Sequence, residues 1–262
     1  MPREGSRSSV VAVCALVLTW ASMATAAELS QVNVEGVVTE VGREGLVLRT
    51  DEGIDYTASV NPKRVYLKVN YQDIPAAMVS VAGPGLPQHV VKGAYVELEM
   101  DLTPRRESRH IIPALRIFTP HRETVLGCFG RREGGGVRAE PTPFAQVGEG
   151  KWRVVGQIAE LRGNRVAIAV PNGNGVGIIH GTVANTPLVS LDVADHTFAR
   201  RGDRVALSGL SPELPFVFAT QLRVKRAAQP LPITPKREAI ADADAGAGLP
   251  PAGDGPAVEP VV

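Results

Sequence analysis

A stretch near the start of the chain is written again further on. "VEGVVTEVGREGLVLRT" (34–50) aligns with "VVGQIAELRGNRVAIAV" (154–170): an apolar residue, a glycine, a short strand, a polar turn and a second strand. A second pair of blocks follows in the same order. "VKGAYVELEMDL" (91–102) aligns with "RRGDRVALSGL" (200–210), matching Gly93 to Gly202, Val96 to Val205 and Leu98 to Leu207. A third pair ends each set: "PALRIF" (113–118) with "ATQLRV" (219–224), so that Leu115-Arg116-Ile117 answers Leu222-Arg223-Val224. Self-similarity in a fixed order points to two copies of one supersecondary unit.

The blocks read as strands. Val96, Leu98, Met100 and Leu102 alternate with Glu97, Glu99, Asp101 and Thr103, the period-two signature of a strand with one buried and one wet face. Val166, Ile168 and Val170 alternate with Ala167 and Ala169, which suits a strand covered on both sides. "PNGNGVG" (171–177) supplies Asn and Gly for a hairpin turn, and no Gly-Lys-Ser/Thr follows to make it a phosphate loop. Helix signals are sparse. A short helix is expected in "YQDIPAAMVSV" (71–81). Another is expected in "SLDVADHTFARRG" (190–202), with Asp192 capping it, Arg200 and Arg201 near its C-terminus and Gly202 ending it.

Three strands, a short helix or loop and two further strands is the order of an oligonucleotide/oligosaccharide-binding (OB) barrel. The pattern "GDRVALSG…ATQLRV" resembles a family of bacterial exported domains with an OB-like fold, often found in tandem and without an agreed function. Gly202, Asp203, Val205, Ala219, Leu222 and Val224 carry the resemblance, as do Gly93, Val96, Leu115 and Ile117 in the first copy. The first copy departs from it with Ala94 in place of the Asp and a longer segment before its fourth strand. The resemblance implies a fold rather than an activity. The expected fold class is all-β: two tandem OB-like five-stranded β-barrels at 31–125 and 151–226, with a short helix or loop each. A Gly/Pro-rich linker (126–150) joins them, and a disordered Ala/Pro-rich tail (227–262) follows. Trp152, at the start of the second module, is expected to pack in its barrel.

Gly and Pro make up about 18 % of the chain, against about 12 % in average usage, which suits many turns and an unstructured stretch. Ahead of the first copy lie Arg3 and Arg7, the apolar run Val10–Leu18 and the small-residue site Ala24-Thr25-Ala26. These are the parts of a secretory signal peptide (1–26), and the run is too short for a stable membrane span. Cys14 follows Val13 rather than a small residue, so no lipid anchor is expected. The protein is therefore expected to be exported, periplasmic or secreted. Cleavage after Ala26 leaves 26 basic and 26 acidic side chains and one cysteine, Cys128, read as a free thiol in the linker.

A neutral chain with 5 % aromatic residues is a poor nucleic-acid binder. His89, His110, His121, His180 and His196 show no ligand spacing, and neither His-Glu-x-x-His nor Cys-x-x-Cys occurs, so no metal site is expected. No nucleophile motif or cofactor loop is present, so no catalytic residue and no cofactor are assigned. Arg201-Gly202-Asp203 spells a tripeptide that adhesion receptors read, but its place before a strand makes it a turn. The ligand candidate is the loop "TPRRESRHIIP" (103–113), where Arg105, Arg106, Arg109 and His110 offer charge-assisted hydrogen bonds to an anion. The reading that follows is a non-catalytic exported binding or adaptor protein acting on an envelope protein or acidic polymer. An enzyme with an unrecognised site between the barrels and a structural spacer presenting its tail are the competing readings.

Overall fold

The computed structural model describes residues 29–61, 67–69, 72–130 and 140–236; residues 1–28, on which the expected signal peptide falls, and residues 237–262, most of the expected disordered tail, lie outside them. In chain order the strands begin with β1 (Ser30–Val41), β2 (Gly45–Arg49), β3 (Asp55–Ser59), β4 (Leu67–Val69), β5 (Gln72–Ile74), β6 (Met78–Pro84) and β7 (Tyr95–Leu102). They continue with β8 (Glu107–Phe118), β9 (Gly127–Gly130), β10 (Gly150–Arg162), β11 (Arg165–Asn172), β12 (Gly175–Val193), β13 (Arg204–Glu213) and β14 (Phe216–Lys225). The helical segments among the described residues are three short 3₁₀ turns, at Pro87–His89, Phe144–Gln146 and His196–Phe198. No helix among the described residues is long and apolar enough to cross a membrane.

Twelve of the strands form one sheet, which closes on itself; β4 and β5 form a separate small hairpin. Strands β7, β8, β12, β11 and β10 make a closed five-stranded barrel, with β8 and β12 running parallel where it shuts. A second circuit runs β1–β2–β3–β14–β13 and back to β1, shut by a short parallel contact between Thr57–Ser59 and Phe216–Phe218. Between the two circuits β6 pairs with β14 on one side and with the far half of β12 on the other.

The strands are not shared out by sequence copy. The first three strands of the N-terminal copy pair with β13 and β14, and the first strands of the C-terminal copy pair with β7 and β8. This departs from the expectation of self-contained barrels at 31–125 and 151–226. The two exchanged pairings have the same register: Gly36 lies opposite Val205 and Val34 opposite Leu207, while Gly156 lies opposite Val96 and Val154 opposite Leu98. The adjoining backbone bonds also correspond. Val38 N–H donates to the Asp203 carbonyl (2.8 Å) and the Val38 carbonyl accepts from Gly202 N–H (2.8 Å), while Ile158 N–H donates to the Ala94 carbonyl (2.9 Å) and the Ile158 carbonyl accepts from Gly93 N–H (2.8 Å). Each first strand carries an irregularity one residue further on, between Val38 and Glu40 and between Ile158 and Glu160.

The glycines explain how one strand serves two neighbours. A Cβ on Gly36 would stand 2.3 Å from the Arg49 carbonyl oxygen, and one on Gly156 would stand 2.4 Å from that of Ala169. Only a residue without a side chain lets the strand swing from its first partner to its second at that distance. The inward faces of both circuits merge into one core. It includes Val38, Leu48, Leu207 and Leu222 from one circuit and Leu102, Ile112, Val154, Ile168 and Ile179 from the other, all close to fully buried. Each such Leu or Ile contributes about 1.5–3 kcal/mol by leaving water.

Other expectations also change. Residues 72–74 and 78–84 are strands rather than a helix: Val79 and Val81 point inward between more exposed neighbours, and β6 draws its hydrogen bonds from β12 and β14. In 190–202 the strand continues to Val193, and Asp195, not Asp192, caps the single 3₁₀ turn by accepting from Thr197 N–H at 2.9 Å. The segment read as a linker contributes β9, which lies along β10, and Cys128 is 1 % exposed within it. Trp152 is half-buried against the core, its indole N–H donating to the Gly148 carbonyl at 2.9 Å. The start of the tail lies against the body of the protein, with Leu231 N–H donating to Gly202 and Arg49 donating to the Thr234 carbonyl.

Candidate functional site

The expected loop 103–113 is a turn only at 103–106; the rest, including Arg109 and His110, is the start of β8, whose pairing with β7 and β12 carries the strand that far. The four candidate side chains part company. Arg106 adopts a left-handed backbone (φ 61°), which turns its side chain back onto the protein. There its Nε donates to the Val147 carbonyl at 3.1 Å, and its guanidinium lies 4.5 Å from the Phe144 ring centre. Arg109 pairs with Glu149 and stands 4.0 Å from Asp101. These two arginines therefore hold the 144–149 segment onto the barrel. His110 lies 3.8 Å from Asp101 at the surface, and Arg105 is exposed with no bonded partner among the described residues.

Beside that turn lies a cleft of about 460 Å³ on the outside of the closed barrel. Glu160 and Arg162 reach it from the end of β10, Arg165 and Ala167 from β11, His180 and Thr182 from β12, and Glu107 and Ser108 from β8. The β10–β11 turn, "RGNR", brings Arg162 and Arg165 to one rim. The parallel pairing of His180 with Glu107 sets the opposite rim. Arg162 is held by Glu160 at 2.5 Å, whereas Arg165 is exposed and makes no ion pair among the described residues. The small side chain of Ala167 leaves the floor low. Arg162, Arg165 and His180 escaped the sequence reading because they lie on three strands, each in a locally unremarked position.

A second charged group crosses the barrel wall. Arg153 binds Glu97 (2.7 Å), Glu97 binds Arg116 (3.1 Å), and Arg116 binds Asp192, linking β10, β7, β8 and β12. All four are partly exposed and mutually satisfied, so they knit strands together more than they invite a ligand.

The adhesion tripeptide is a structural corner. Asp203 is fully buried and accepts from Arg200 N–H (2.9 Å) and Nε (3.3 Å) and from Ala227 N–H (3.4 Å). The Arg226 guanidinium, itself buried, lies 3.6 Å away, and burial pulls its pKa below the usual arginine value. A receptor has no access to that carboxylate. Nearby, His89 is held below the ordinary histidine pKa, first by burial and then by the charges of Arg226 and Arg200. Its Nδ1 accepts from Leu86 N–H at 3.1 Å, a bond that the neutral ring makes. Burial also pushes the Cys128 thiol up to about 12, with Arg106 opposing the shift, which favours the thiol over the thiolate at neutral pH.

Comparison of the chain with protein-family models, with curated proteins and with solved structures gave no match.

Proposed function

We propose that this is an exported, non-catalytic binding protein built on two OB-like barrels that exchange their last two strands. The cleft between the β10–β11 and β7–β8 turns is its ligand site. The observation that carries this reading is the position of the cleft. Each circuit runs first, second, third, fifth and fourth strand and back to the first, which is the strand order of an OB barrel. In that fold the turn between strands one and two, the turn between strands four and five and the face of strands two and three form the binding surface. The cleft lies between the same two turns.

Its chemistry selects the ligand class. Arg162, Arg165 and His180 stand against Glu107 and Glu160 around a floor of Ala167 and Thr182. No Phe, Tyr or Trp lines the cleft to stack a base or a sugar. An acidic chain, polypeptide or polymer, fits that lining: Arg165 gives it an exposed guanidinium with no ion pair among the described residues, and Ser108 and Thr182 give hydroxyl groups. Titration of poly-glutamate into the chain from Ala27 onward, followed by calorimetry, tests this. Saturable binding is expected, weakened at least tenfold by Arg162→Ser with Arg165→Ser and little changed by Arg105→Ser. Equal affinity for all three proteins would remove the cleft from consideration.

A further inference from the structure

The closed barrel and the second circuit differ at one sheet edge. In the barrel, the outer edge of β10 over Trp152–Val155 is covered by β9, running antiparallel. The corresponding edge of β1 pairs with no strand among the described residues until Val37 meets Arg49 of β2. Its direction follows from alternation. Val38 bonds to Asp203 and Gly202 on the β13 side, so Val37 faces β2. The β1–β13 register has no shift from Ser30 to Val37. Glu35, Asn33 and Gln31 therefore turn their N–H and C=O groups to the same side as Val37, outward. The stretch Ser30–Gly36 contains no proline, no lysine and no bulge, the features that usually protect an edge.

We infer that this edge pairs with the same edge of a second copy of the chain, β1 antiparallel to β1 about a two-fold axis at Asn33. The side chains favour that occupant. An antiparallel pairing centred on Asn33 sets Asn33 against Asn33 and Gln31 against Glu35 of the other copy, so no like charges face each other. Glu35 already lies 3.9 Å from Arg204 of its own chain, which offsets its charge next to a partner strand. The β9–β10 pairing shows that this type of edge accepts an antiparallel strand. The three outward-facing residues on each side supply six new backbone hydrogen bonds. The interface is independent of the cleft, which lies on the other circuit.

The register makes the test specific. In sedimentation velocity of the chain from Ala27 onward, reversible dimerisation at micromolar concentration is expected. Gln31→Lys, which places an ammonium opposite Glu35, tightens it, and Gln31→Glu loosens it, each roughly fivefold. Both are exposed-site changes that leave the fold intact. Asn33→Cys places two thiols across the axis on Cα atoms about 5.5 Å apart, within the roughly 4.4–6.8 Å that a disulfide spans. Oxidation should then link Asn33→Cys chains but not Gln31→Cys chains, and buried Cys128 does not compete. A monomer at all concentrations with no Asn33→Cys cross-link overturns the inference. So does a dimer whose affinity is the same in both Gln31 variants. Dimerisation by a chain ending at Lys236, but not by the longer chain, would instead give the edge to residues 237–262 and also overturn it.

Discussion

The closed barrel and the second circuit share their strand order, register and turn glycines, yet differ in what lies against them. On the barrel, Tyr95, Phe118 and Val155 form an apolar outer patch with Phe129 of β9 and Leu126. By register, the corresponding residues of the second circuit are Arg204, Lys225 and Glu35. The apolar trio needs a cover, and β9 supplies it; the charged trio is content in water, and the edge of β1 stays open. The corner after each 3₁₀ turn differs in the same way. Asp203 occupies one and Ala94 the other, although Gly202 (φ 89°) and Gly93 (φ 90°) turn the chain alike. The carboxylate is therefore not needed to make the turn. Its task is to hold Arg200, Arg226 and the chain leaving β14, a task with no counterpart at Ala94.

The largest effect comes from separating what is exchanged. Residues 140–236 alone contain β10–β12 without β7 and β8, and β13–β14 without β1–β3. Calorimetry of that fragment should show no cooperative melt, and mixing it with residues 27–130 should restore one. A cooperative melt of the fragment alone would mean that the copies can close on themselves. Next in size is Asp203→Ala, which converts one corner into the other and leaves two arginines without their buried partner. Urea denaturation should register a loss of about 3–5 kcal/mol, whereas Ala94→Asp should bring no gain. Glycine at the strand crossing comes third. Gly36→Ala and Gly156→Ala should each cost about 1–3 kcal/mol, and by similar amounts, because the two contacts are alike.

The smallest effect is a difference in pH response. His89 and Phe198 occupy corresponding places in the two 3₁₀ turns and touch each other, ring centres 5.2 Å apart. Because the folded-state pKa of His89 is lowered, the unfolded chain takes up its proton first. Stability should therefore be intact above about pH 6.5 and decline as pH falls through the folded value. His89→Phe would make the pair symmetric and flatten that decline. Thermal melts between pH 7 and 5 compare the two proteins, and parallel curves would exclude His89 as the source.

Much of the architecture could be read before any coordinates. Val96, Leu98 and Met100 announce their strand by alternation, and Gly93 and Gly202 mark their turns. What could not be read is which strand pairs with which. Gly36 lies opposite Val205, but Val96 offers the same side chain in the same pattern, so local sequence fits either partner equally well. The choice rests on contacts distant in the chain, which no window of sequence contains. The helix expected at 71–81 failed for a related reason: pairing with β12 and β14 outweighs the weak helical preference of a short segment. At the site, the β7–β8 turn was legible as a cluster of positive charge. Its division into two anchoring arginines and a free one depends on Phe144, Val147 and Glu149, some forty residues away. The cleft beside it is assembled from four strands, none of which signals it alone.

The exchange of strands also sets a timetable. A ribosome releases Val34 long before Leu207, the residue it must lie against. At about 5–20 residues per second the wait is on the order of 10–35 s. During that interval β7 and β8 are the described strands already made that can stand in for β13 and β14. These match them in pattern but belong to the other circuit. The nascent chain therefore either holds its first half open or forms a self-paired state that it must later undo. The native arrangement can be completed only after almost the whole described chain has been made.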